Sequence, residues 1–61
     1  MIDLKKIRTE KGLTQDALST KCGVQRTTIT MIESGENKPS VDLAKKIAEV
    51  LEIKWTDFFE D

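Results

Sequence analysis

Gly23 separates two short amphipathic segments, and this division constrains the chain more than any other feature. Apolar residues fall at Ala17, Leu18 and Cys22 before the glycine and at Val24, Ile29 and Ile32 after it. Each segment therefore offers one apolar stripe and one polar face. Neither can bury much alone. A glycine tolerates positive φ, so the two read as a helix-turn-helix, with one helix over about 14–21 and the next over about 25–34. The second presents Gln25, Arg26, Thr27, Thr30 and Met31 outward.

The flanking residues supply the support. Asp3 can cap a first helix with Leu4 and Ile7 inward and Lys5, Lys6 and Lys11 outward, and Gly12 is placed to end it. Thr14 is a good N-cap for the second helix, with Asp16 favoured in its positive first turn. Ser19 is small where two helices should cross closely. After Gly35 a polar loop leads to Pro39, and Ser40 caps a fourth helix whose Val41, Ala44, Ile47, Ala48 and Leu51 share one face. Glu52 stands where a glycine would ease the exit. The closing segment, Lys54 to Phe59, reads as one short helix, and no strand pattern or internal repeat is found.

At 61 residues, the chain 1–61 can form one small all-α domain. A core of this size supplies only ~3–5 kcal/mol, so tight helix packing or dimerisation would help it. The longest apolar runs are two residues, which excludes a membrane span, and the N-terminal residues lack the apolar region of a secretion signal. A cytoplasmic location is expected. With no histidine and a single cysteine, a zinc site of the usual ligand set and an internal disulfide are both excluded, and Cys22 reads as a small buried hydrophobe. No metal, cofactor or small-molecule ligand is called for. Enzymatic activity is not expected either, because the carboxylates are scattered over solvated faces and the cysteine has no base near it in sequence.

The net charge of −1 counts against a nucleic-acid ligand. Its distribution weakens that objection. Residues 1–48 hold nine Lys/Arg against six Asp/Glu, whereas residues 49–61 hold one lysine against five acids.

Taken in order, Ile-Arg-x-x-Lys-Gly-Leu-Thr-Gln (Ile7 to Gln15), Cys-Gly-Val, Thr-Ile-Thr-Met-Ile-Glu-Ser-Gly, Lys-Pro-Ser and Asp-Phe-Phe form a specific pattern covering nearly the whole chain. It resembles the Cro and phage-repressor type helix-turn-helix family, also called the XRE family. The resemblance implies a compact five-helix, lambda-repressor-like domain, with the third helix lying in the major groove of double-stranded DNA and the start of the second touching the backbone. On that basis Arg26 is the candidate for bidentate contact to guanine, with Gln25, Thr27, Thr30 and Met31 also reaching base edges. Thr14, Gln15, Thr28, Asn37 and Lys38 would hold phosphates. Each has a plainer alternative: exposed Thr and Gln are usually solvated surface, and Met31 could pack sideways onto the second helix. The family also pairs an arginine in the first helix with a glutamate late in the third, which implies a structural ion pair between Arg8 and Glu33. Gln25, Glu52 and Lys54 depart from the residues the family often has at those places.

These readings lead to a sequence-specific transcriptional regulator, a repressor acting as a homodimer on a palindromic operator. Ile53, Trp55, Phe58 and Phe59 are candidates for the dimer seam, with closure of the monomer core as their alternative role. A second class remains open: an antitoxin-like or phage-encoded protein-interaction module on the same fold, favoured slightly by the acidic balance. Binding to random duplex that falls steeply with salt separates the two.

Overall fold

A computed structural model describes residues 2–59. Four α-helices follow one another: α1 (Leu4–Glu10), α2 (Gln15–Cys22), α3 (Arg26–Ser34) and α4 (Val41–Leu51); a 3-10 turn, Trp55–Phe58, closes the chain. Among the described residues there is no strand, and no helix is long and apolar enough to cross a membrane. The five-helix expectation is thus corrected to four α-helices and one 3-10 turn. Backbone bonds from Asp57 N–H to the Lys54 carbonyl and from Phe59 N–H to the Thr56 carbonyl have the three-residue reach of a 3-10 helix. Four residues satisfy themselves more readily that way than by nucleating an α-helix.

Short polar side chains start three of the helices. Asp3 accepts from the backbone N–H of Lys6 at 3.1 Å, Thr14 from Ala17 at 3.0 Å and Ser40 from Leu43 at 3.2 Å. Such a cap is worth about 1 kcal/mol. Because Thr14 is the cap, α2 starts one residue later than the sequence suggests and runs to Cys22. Gln25 precedes α3 without a side-chain cap bond. Between α2 and α3, Gly23 sits at φ +72°, and the Val24 N–H reaches back to the Ser19 carbonyl at 3.0 Å. A Cβ at Gly23 would meet no atom within 4 Å, so its requirement is conformational rather than steric.

Helix α2 packs on α3 and α4, α1 leans on α3, and the 3-10 turn folds back onto α4. Leu18, Ile29, Ile47 and Leu51, from three different helices, are fully buried at the centre; Leu4, Cys22, Ile32, Ala44, Ala48 and Phe58 complete the core around them. Burial pushes the Cys22 thiol up from its ordinary pKa, partly offset by the charge of Lys46. Ser19 is buried at the crossing and its hydroxyl donates to the Asp16 carbonyl at 2.9 Å, so nothing polar is stranded there. The apolar stripe of α4 needs one correction. Val41, the first residue of α4, is 47% exposed, while Leu43 and Val50, off that stripe, are half-buried against the core. Glu52 adopts the left-handed conformation at φ +60°, the one non-glycine to do so among the described residues.

Candidate nucleic-acid interface

The start of α2, the outer face of α3 and the loop after it supply every polar residue singled out as a possible DNA contact. Gln25, Arg26, Thr27 and Thr30 are exposed, and Met31 and Thr28 are half-buried. Met31 is only partly turned outward: the Asn37 side-chain amide donates to its sulfur at 3.5 Å. Asn37 and Lys38 are exposed on the loop. Thr14 is exposed, with its hydroxyl oxygen committed to the cap of α2.

Beneath this face lies a hydrogen-bonded network that locks three helices together. Arg8, on α1, donates through Nε to Glu33 Oε2 at 2.6 Å and through Nη2 to Oε1 at 3.3 Å. Its Nη1 donates to the Leu13 carbonyl at 2.6 Å, so the same guanidinium also holds the connection into α2. The two side chains are only 8% and 5% exposed. Gln15, at the first position of α2, donates from Nε2 to Glu33 Oε1 at 3.0 Å, and its Oε1 accepts from the Thr30 hydroxyl at 3.0 Å. That hydroxyl also lies 3.1 Å from the Arg26 carbonyl. Among the described residues no buried side-chain nitrogen or oxygen lacks a partner.

This network refines the expectation for Gln15. Its carboxamide is oriented internally, oxygen toward Thr30 and nitrogen toward Glu33, which leaves the second Nε2 hydrogen for an outside acceptor. Sequence reasoning missed both bonds, because the partners lie 18 and 15 residues away. It also missed an ion pair across the turn. Arg26 Nε stands 3.7 Å from Asp16 Oδ1, with the side chains 61% and 78% exposed. The clue was an acid and a base each in the first turn of a helix on either side of Gly23.

Arg26, Asp16, Gln15 and Thr14 line an open groove of about 430 Å³ that continues to the C-terminal end of α1. A smaller depression lies between Lys5, Gln15, Thr30 and Glu33. Among the described residues, no group of histidine, cysteine or carboxylate side chains could hold a metal ion. The seam candidates divide. Phe58 is buried in the core, Ile53 and Trp55 are half-buried, and Phe59 is 45% exposed. Trp55 meets Phe59 edge to face at 6.1 Å and carries Lys45 Nζ 5.1 Å above its ring.

The chain is 52% identical over 58 residues to an HTH-type transcriptional regulator, YqaF, of Bacillus subtilis, covering 95% of this chain and 76% of that one. It is 46% identical over 56 residues to an HTH-type transcriptional regulator of Methanocaldococcus jannaschii, covering 92% and 85%. Among solved structures, the N-terminal DNA-binding domain of SinR from Bacillus subtilis superposes with a TM-score of 0.84 at 27% identity, over 95% of this chain and 86% of that domain. An HTH_3 family transcriptional regulator from Vibrio cholerae gives a TM-score of 0.78 at 37% identity; this chain spans 93% of its own length there and about a third, 32%, of the Vibrio chain. The HTH_3 helix-turn-helix family model matches residues 4–58, and the chain belongs to that family.

Proposed function

We propose that the chain is a sequence-specific DNA-binding regulator of transcription, with α3 entering the major groove. The observation that carries this reading is the contrast within α3. Its inner face and C-terminal end are fixed by Ile29, Ile32 and the Arg8–Glu33 pair, while Arg26, Thr27 and Thr30 stay exposed along the outer face. A helix held this firmly can present a guanidinium and two threonines to base edges without sinking into the core. In this reading Arg26 engages guanine O6 and N7, Thr27, Thr30 and Met31 meet neighbouring base edges or thymine methyls, and Gln25 reaches a base or a phosphate. Gln15 uses its remaining amide hydrogen on a phosphate, beside the positively polarised start of α2, and Thr14, Thr28, Asn37 and Lys38 extend that grip. The family membership and the likeness to the SinR DNA-binding domain support it.

The protein acts as a homodimer repressor on a palindromic operator. One copy offers too few base contacts for tight binding, whereas two place their α3 helices in successive major grooves about 34–36 Å apart. Ile53, Trp55 and Phe59 form the seam. Selection of bound sites from a randomised duplex library tests both levels. A palindromic motif with salt-sensitive binding is the expected result. Absence of binding even at low salt would instead favour a protein-interaction module, the reading to which the net charge of −1 lends some weight.

A further inference from the structure

We propose that Asp16 is a positioning residue that sets base specificity by holding Arg26 in its base-reading pose. This rests on the reading of α3 as the base-contacting helix. The two side chains bridge the turn, with Asp16 Oδ1 facing Arg26 Nε at 3.7 Å, and both line the same open groove as Gln15. An ion pair so exposed contributes little to folding, so its consequences fall on what the groove binds.

A carboxylate beside the phosphate-gripping Gln15 repels any DNA backbone, which makes Asp16 a liability for general affinity. An arginine on a flexible stem, left alone there, is drawn to the nearest phosphate and carries no sequence information when it arrives. With Asp16 on the Nε edge of the guanidinium, the terminal Nη1 and Nη2 nitrogens are left for a ligand. That pair is the fork that matches guanine O6 and N7. Arg26 also opens α3, where the helix dipole disfavours a cation, and the carboxylate across the turn offsets that repulsion. Asp16 thus exchanges some general affinity for discrimination.

The test uses the full chain carrying Asp16→Asn, Asp16→Glu, Arg26→Ala or Asp16→Asn with Arg26→Ala. Each is titrated with its selected site, with the same site altered at the guanine assigned to Arg26, and with random duplex. For Asp16→Asn, random-duplex affinity should rise roughly threefold, as expected for removing one charge near a phosphate at solvent-like dielectric. Discrimination at the guanine should fall about fivefold or more, out of the roughly 5- to 150-fold a bidentate pair supplies. Asp16→Glu should restore discrimination, and in the Arg26→Ala background Asp16→Asn should leave it unchanged. If Arg26→Ala abolishes discrimination while Asp16→Asn preserves it, Asp16 is a bystander and the proposal is overturned. If Arg26→Ala itself alters nothing, the base-reading assignment fails first and the positioning role falls with it.

Discussion

The two ends of α3 each carry one ion pair, and the pairs differ in every respect that decides what an ion pair does. At the C-terminal end Glu33 meets Arg8 at 2.6 Å, almost fully buried, with Gln15 and the Leu13 carbonyl as further partners. At the N-terminal end Arg26 meets Asp16 at 3.7 Å with both side chains largely in water. A buried pair whose partners are satisfied on all sides leaves an uncompensated charge when either member is removed. An exposed pair costs almost nothing to break. The strong pair thus fixes where α3 lies, while the weaker one bears only on how an exposed side chain is oriented in the open groove.

The largest expected effect is that of Arg8→Ala or Glu33→Ala. Each should cost about 3–5 kcal/mol, comparable with the whole stability of a domain this small, and urea or thermal denaturation reads the loss. Replacing both together with Met and Leu should recover much of it, because no charge is then stranded. At the other end, Arg26→Ala should leave stability within about 0.5 kcal/mol of the parent while removing about 1–3 kcal/mol of base discrimination. A large drop in melting temperature for Arg26→Ala would erase the distinction between the two ends. Thr30→Val keeps the β-branched shape but removes the hydroxyl that faces Gln15, and should cost about 0.5–1 kcal/mol in the same denaturation assay. The smallest effect is alkaline. The Cys22 thiol holds its proton to higher pH in the folded protein than in the unfolded chain. Stability should therefore be level below the ordinary thiol pKa and decline as pH rises through the native value, and Cys22→Ala should flatten that decline.

What could be read from sequence tracks how local each interaction is. Asp3, Thr14 and Ser40 were legible as caps because a cap bonds three residues ahead. The buried set Leu18, Ile29, Ile47 and Leu51 followed from helical periodicity. Val41 did not, since periodicity shows which residues share a face but not how deeply each is buried. The closing segment reads from sequence simply as a short helix, because four residues carry too little pattern to separate the α and 3-10 forms. In the candidate site, the exposed row on α3 was visible in outline. The Arg8–Glu33 pair spans 25 residues and was reached only through family resemblance, and the bonds of Gln15 to Glu33 and Thr30 depend on side-chain orientations no local pattern encodes.

In the proposed reading the exposed end of α3 reads bases while its buried end only positions it. Site selection carried out in parallel with the parent protein and with Arg26→Ala measures this directly. Both proteins should select the same motif except at one base in each half-site, where the variant becomes indifferent. An identical motif from the two proteins would contradict it.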